Sequence, residues 1–455
     1  MAQRKWLSPF LLPVYLFGIA ILAATVLLHQ DFSLAGDPIS WIDALFTATS
    51  AVCVTGLIVV DTGSFFSPLG QTIILACIQL GGLGIMTYTS LVFYLWRRRV
   101  SLADRIAVGQ SLLHEPNFAL GSFLLQVVIL IFTIEAAGCL LLMLAGGGDL
   151  SLFWSIFHSV SAFCNAGFAL QPNSLIPWRD DLPVNIIFMV LIVIGGLGFS
   201  VLLELFERLS RLRVKNVPKR AGRHLLSWHA GIVLKTTAVL LLVGVVWLLI
   251  SESMFLGLDD DLGTSVMASF FQSVTARTAG FNTVEIGALA NPSLLLLIFL
   301  MFVGGSPGSC AGGIKTTTLA ALIAFAKAQI RGRRQAVAGR FAMDLRTMNK
   351  ALSLIFFAVV IVLFAVLALS VTEGLARPGP ESRGLFLEIL FEAVSAFGTV
   401  GLSTGLTPKL SDPGRIVITI VMFVGRLGPI MFLSALREFQ RRENFSWPEN
   451  SLLIG

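Results

Sequence analysis

Four short stretches of this chain repeat one pattern, and they restrict its fold more than any other feature. Residues 39–57, 150–168, 264–281 and 386–402 each carry about three turns of helix-period apolar pattern and then a glycine. The copies align on Phe46, Phe157, Phe271 and Phe391, and on the small pairs Ser50-Ala51, Ser161-Ala162, Thr275-Ala276 and Ser395-Ala396. Each pair is followed by a glycine, Gly56, Gly167, Gly280 or Gly401, with spacings of 111, 113 and 121 residues. The third copy is one residue shorter between its small pair and its glycine. One such match is chance; four in register are an internal repeat.

Each copy lies between two longer apolar runs, and the chain as a whole is 56% hydrophobic and 13% charged, with a mean hydropathy of +0.86. That composition belongs to an integral membrane protein. A bilayer core needs about 20 apolar residues per helix. The flanking runs reach that length, and the first, residues 6–28, reads as a retained span rather than a cleaved signal. The short stretches do not, so they read as re-entrant segments. The predicted fold is an all-α membrane protein of four concatenated helix–pore-loop–helix units, with eight spanning helices and four re-entrant helices around a pseudo-fourfold centre. The units run over residues 1–100, 101–212, 213–335 and 336–443, followed by a tail at 444–455.

Charge gives the orientation. Of 32 Lys and Arg, 23 fall in five segments: 4–5, 97–105, 208–223, 327–350 and 437–442. The loops between them are acidic instead, at Asp31, Asp37, Asp180, Asp181, Asp259 to Asp261, Glu373 and Glu381. By the positive-inside rule the basic segments, and both termini, are cytoplasmic. The net charge of +6 is thus a feature of topology and lipid contact, with no nucleic-acid partner implied. Five cysteines, Cys53, Cys77, Cys139, Cys164 and Cys310, show no metal-ligand or disulfide spacing.

Non-helical backbone at membrane depth is tolerated only where it is buried in protein or lines a water-filled cavity. Four re-entrant turns on one side of the membrane meet both demands by converging on one axis. Their short helices then end near that axis, and the residues beyond turn carbonyl oxygens inward, where such rings replace the water around a cation. Glycine supplies the positive-φ backbone that aims successive carbonyls alike. The competing reading makes these glycines ordinary helix C-caps. A second anomaly is residues 304–318, GGSPGSCAGGIKTTT, which interrupt an apolar run with five glycines, a proline and a lysine. They form either a break inside one span or a cytoplasmic turn between two helices; the second leaves only about ten apolar residues before the turn, too few to cross.

The motifs SAVCVTGL, SAFCNAGF, TARTAGFN and SAFGTVGL, the GGLG at 81–84 and 195–198, AGGIK and GRLGP resemble the Trk/Ktr/HKT superfamily of potassium transporters, most closely its Ktr branch, over nearly the whole chain. The early start of the first unit favours that branch over Trk, whose members carry an extra helical pair. Carried over motif by motif, the resemblance implies a potassium-binding filter of Val54, Thr55 and Gly56; Asn165, Ala166 and Gly167; Thr278, Ala279 and Gly280; and Thr399, Val400 and Gly401. Members with serine at the first glycine pass sodium, so Gly56 implies potassium selectivity. Potassium channels carry a second glycine two residues on. Its absence here predicts fewer ion sites and looser selectivity. The family's broken helix below the filter implies a gate at Gly304, Gly305, Gly308, Gly312, Gly313 and Lys315. The resemblance further implies that Arg426 projects into the path below the filter, as an electrostatic barrier that holds the loop; the alternative is an ion pair or carbonyl clamp that fixes the helices. The resemblance also implies a homodimer assembled partly through the tail, a cytosolic nucleotide-binding regulatory ring of the KtrA type, and the bacterial plasma membrane.

Other buried ionisable residues read as structural: Arg277 pointing away from the axis, and His158 and Glu392 packing or hydrogen-bonding behind the filter. Glu135 has no assigned role. No covalent cofactor is expected, and any nucleotide would act through the partner subunit, because GGLG follows no strand. A secondary symporter coupling potassium to sodium or protons is the alternative to a gated pathway, though four units of one orientation differ from inverted repeats. A membrane enzyme lacks any His/Asp/Glu cluster to support it.

Overall fold

The computed structural model describes residues 12–83, 120–148, 150–213, 226–255, 262–374 and 384–439. Several expectations fall outside these residues: the basic segments at 4–5, 97–105, 214–223 and 441–442, the acidic run 259–261, Glu381, Gly84 and the tail. The described chain is helical apart from one small hairpin, β1 (Val337–Ala338) with β2 (Phe341–Ala342).

The helices group in threes. The first group is α1 (Leu12–Leu28), α2 (Trp41–Val52) and α3 (Pro68–Gly82). The second is α4 (Leu120–Ala145), α5 (Leu152–Phe163) and α6 (Leu182–Leu197), continued by α7 (Phe199–Arg213). The third is α8 (Trp228–Phe255), α9 (Leu262–Thr275) and α10 (Asn291–Phe302), then α11 (Thr316–Ile330). The fourth is α12 (Leu345–Gly374), α13 (Leu385–Gly398) and α14 (Asp412–Phe439). Helix starts follow local chemistry. Ser40 and Ser151 accept the Asp43 and Trp154 N–H at 3.0 and 3.2 Å, and Ser67 caps α3 ahead of Pro68.

Packing follows a cyclic rule. The last helix of each group lies against the short helix of the next: α3 on α5, α6 on α9, α10 on α13, and α14 back on α2. The four aligned phenylalanines are all 0% exposed. Lipid is as apolar as phenylalanine, so this burial stabilises through close packing rather than removal from water. The outer faces of the long helices show Leu125, Ile129 and Phe132, or Val239, Leu242 and Val246, or Phe356, Leu363 and Phe364. Such apolar stripes suit lipid.

Several of the expected spans are interrupted in the structure. Among the described residues, three helices are by themselves long and apolar enough to cross a membrane: Leu125–Ala145, Trp228–Ser253 and Leu345–Gly374. The closing helices of groups two to four are interrupted. Helix α6 breaks at Gly198 (φ +93°, ψ 139°) and α7 leaves it at 110°. Helix α10 stops at Phe302, and α14 kinks at Gly428 (φ 77°, ψ 146°). Both glycines occupy a region essentially closed to side-chain-bearing residues, so GGLG and GRLG act as breaks. The sequence reading placed an interruption only at 304–318.

Candidate functional site

The four short helices end on turns that meet. A Cβ added to Gly56 would sit 2.3 Å from the Ala166 oxygen of the next group. One on Gly167 would sit 2.8 Å from the Ala279 oxygen, one on Gly280 2.5 Å from Val400, and one on Gly401 2.3 Å from Thr55. These contacts run in the same cyclic order as the helix packing, and each is too short for any side chain. The structure therefore brings all four expected tripeptides together.

The backbone alternates. Gly56, Gly167, Gly280 and Gly401 have φ of +89°, +71°, +80° and +92°. Two residues earlier, Val54, Asn165, Thr278 and Thr399 are also left-handed, at +55°, +57°, +78° and +48°. Sequence reasoning missed this second set. Three of the four are β-branched, for which the conformation costs about 1–3 kcal/mol each, and no propensity rule flags them. Their only sequence signal is the shared position before each glycine. They also decide the C-cap question. The Thr55 N–H reaches Ser50 O at 2.8 Å and the Val54 N–H reaches Ala51 O at 3.1 Å, the paired closure of a Schellman motif. Asn165 with Ala166, and Thr399 with Val400, repeat it. The capping residue is thus Val54, Asn165 or Thr399, and the glycine lies beyond it. In the third copy, one residue shorter, Ala279 N–H reaches Thr275 O at 2.9 Å instead.

The small pair has a structural reason. Ser50 and Ser395 hydroxyls accept the Gly56 and Gly401 N–H at 3.1 and 3.2 Å. Ser161 and Thr275 instead donate to the Phe168 and Phe281 carbonyls at 2.8 and 2.6 Å. Each hydroxyl ties its helix to its own tip.

Residues 304–318 lie directly against this assembly and are mostly buried, which excludes an exposed turn. A Cβ on Gly312 would be 2.2 Å from Thr399 Oγ1, and one on Gly304 3.1 Å from Thr278 Cγ2. Val303 and Ile314 form a parallel bridge at the neck. Neighbouring groups pin the rest. Ser306 N–H donates to Gly196 O at 3.0 Å, and Phe199 N–H to Gly308 O at 2.9 Å. The Cys310 thiol donates to Gly82 O at 3.1 Å. Lys315 Nζ folds back onto the Ala311 and Gly312 carbonyls at 2.6 and 3.3 Å. Arg426, buried in α14, donates to Cys310 O and to Gly81 O. These contacts tie the loop at Cys310 to the end of α3 at Gly81. Gly313 is left-handed at the neck (φ +65°), whereas Gly305 packs against Ala311 and Gly308 stands exposed at the loop tip.

Comparison with known proteins gives the family. The TrkH family, described as cation transport protein, matches residues 17–436. The chain belongs to the TrkH family. It is 36% identical to the Ktr system potassium uptake protein B of Bacillus subtilis, covering 96% of this chain and 95% of that one. It is also 36% identical to the potassium/sodium uptake protein NtpJ of Enterococcus hirae, over 99% and 98%. The crystal structure of the potassium transporter TrkH from Vibrio parahaemolyticus superposes with a TM-score of 0.74, at 19% identity, over 97% of this chain and 88% of the other. This is a multi-pass membrane protein of a cation transport family.

The remaining buried charges of this TrkH-family chain are structural in the sense of their contacts. Arg277 donates to Gly304 O at 2.8 Å. Glu392 accepts from Ser403, Thr404 and Thr407, and His158 stacks on Trp154 at 3.9 Å. Glu135, unassigned by sequence, accepts from Gln79 at 3.2 Å and from the Cys164 thiol at 3.7 Å, joining α4 to α3 and to the end of α5.

Proposed function

We propose that this protein moves potassium across the bacterial plasma membrane through a filter built by its four glycine tips. The observation that carries the reading is the closure of those tips in cyclic order, with left-handed residues at alternate positions in every copy. Alternation turns successive carbonyls of Val54, Thr55 and Gly56, and of their three counterparts, to one side, where oxygen rings replace the hydration shell of a potassium ion. The loop at 304–318 is the gate. It lies under Thr278 and Thr399, and its glycine-rich backbone can reorganise on a small free-energy difference. Arg426 holds it at the Cys310 carbonyl while gripping Gly81 O of α3, and adds positive charge beneath the filter.

The named relatives support the cargo and the setting. Two Ktr system proteins, from Bacillus subtilis and Vibrio alginolyticus, match at full length, which favours a partner subunit for this chain too. On that basis the basic cytoplasmic face docks a nucleotide-binding ring of the KtrA type, the membrane subunit is a homodimer in lipid, and both termini are cytoplasmic. A second reading, symport with sodium, draws on the potassium/sodium uptake relative.

Flux into proteoliposomes separates the two. A gated pathway passes potassium or rubidium down its own gradient with no second ion present. Uptake that requires sodium on the same side would establish the symporter instead.

A further inference from the structure

The residue that follows each aligned phenylalanine is polar and almost fully buried: Thr47, His158, Gln272 and Glu392 are 2%, 0%, 2% and 0% exposed. In two units it ties the short helix to the chain leaving the tip. His158 Nε2 accepts the Leu170 N–H at 3.4 Å, three residues beyond Gly167. Glu392 accepts the Ser403 hydroxyl at 2.5 Å, the Thr404 N–H at 3.2 Å and the Thr407 hydroxyl at 2.6 Å, beyond Gly401. The equivalent pair in the third unit is Gln272 with Thr283, three residues beyond Gly280. Neither is tied. Both amide atoms of Gln272 and the Thr283 hydroxyl are buried without a partner among the described residues.

Both residues line a cavity of about 730 Å³, together with Ser265, Ala268, Leu248 and Glu252. The second unit fills the position of Ala268 with Trp154, whose indole stacks on His158. The third tip is also the shortened copy and lacks the paired Schellman closure of the other three. The Thr47 hydroxyl is unpaired as well, but the first tip keeps that closure and the Ser50 bond to Gly56. The third tip keeps the Thr275 bond to Phe281 O and the Asn282 bonds to Ser174 and Leu175. Packed protein interior resists displacement, however, and a turn that lacks the brace at this position and faces a cavity there moves at lower cost.

We propose that the residue after each aligned phenylalanine sets how rigidly its tip is held, and that the third tip, with Gln272 and a cavity behind it, is the yielding side of the filter. Glu392 and Gln272 are then specificity-determining positioning residues that never touch the ion. A ring of carbonyls discriminates between cation sizes only as far as it resists closing on the smaller one. This inference rests on the filter reading above for its consequence.

The test is competition flux of potassium against sodium with the full chain in proteoliposomes. Glu392→Gln removes the charge that three donors share, and the potassium preference falls about tenfold, the equivalent of losing one charge-assisted hydrogen bond. Gln272→Glu and Gln272→His each supply the brace found in another unit, and each raises the preference severalfold. Thermal unfolding of each variant checks that it is folded; if Glu392→Gln is not, the two Gln272 variants decide. Unchanged preference in folded variants overturns the proposal. A gain with glutamate that histidine fails to reproduce also overturns it, because charge rather than bracing would then be the cause. Gly56→Ser run in parallel separates the two layers. If it shifts the preference while the bracing variants do not, only the bracing idea fails. If it shifts nothing, the filter reading itself fails.

Discussion

The four glycine tips and the single loop beneath them are both irregular, glycine-rich and buried, yet they are held in opposite ways. Each tip is tied mainly to its own short helix: Thr55 and Gly56 to Ser50, Val400 and Gly401 to Ser395. The loop is bonded within itself and also to other groups, namely Gly195, Gly196 and Phe199 of the second, Gly82 of the first, and Arg426 of the fourth. Local closure makes a conformation that can be copied four times. Closure by distant partners makes one that depends on how the groups sit together, which is what a gate requires.

The comparison is broken most severely at the tips. Gly56→Ser puts a Cβ within 2.3 Å of a backbone oxygen and at φ +89°, so the ring must shift. Sodium uptake should rise relative to potassium by about tenfold or more, roughly 1.4 kcal/mol of lost discrimination, read in competition flux. Unchanged discrimination would mean that the tips do not select.

Shortening the loop by removing residues 305–314 should act next. It leaves every tip bond in place but deletes the Ser306, Gly308 and Cys310 contacts. Basal flux without any partner subunit should rise severalfold with potassium preference kept. A folded but silent protein would assign the loop a role other than closure.

Arg426→Gln should have the smallest effect. It removes the charge-assisted bonds to Cys310 O and Gly81 O, worth about 1.5–3 kcal/mol each, while Val303–Ile314 and the Gly196 contact still hold the loop. The expected result is a modest leak and a lower melting temperature. A leak larger than that of the shortened loop would identify Arg426 as the main barrier.

Some of this was legible early for a definite reason. The pattern of Phe46, Ser50 and Gly56 recurs because each copy closes on itself within about ten residues, so its constraints are written next to one another in the chain. The burial of all four phenylalanines and the approach of all four glycines follow that register. The breaks at Gly198 and Gly428 were not read, although GGLG and GRLG stood in plain view. A glycine within an apolar run looks alike whether helix continues through it or ends there. The left-handed Val54, Thr278 and Thr399 were likewise invisible, since β-branched residues disfavour that conformation and only surrounding closure holds them in it.

By itself the sequence determined that this is a membrane protein of repeated short helices ending in glycine turns, because hydropathy and local spacing are properties of neighbouring residues. Only the tertiary structure decided which turn touches which, where the closing helices break, and that Arg426 grips two carbonyls while the Gln272 amide has no partner among the described residues. Those outcomes depend on contacts between residues hundreds of positions apart, and they are set by how packed helices share space rather than by any one segment's preference.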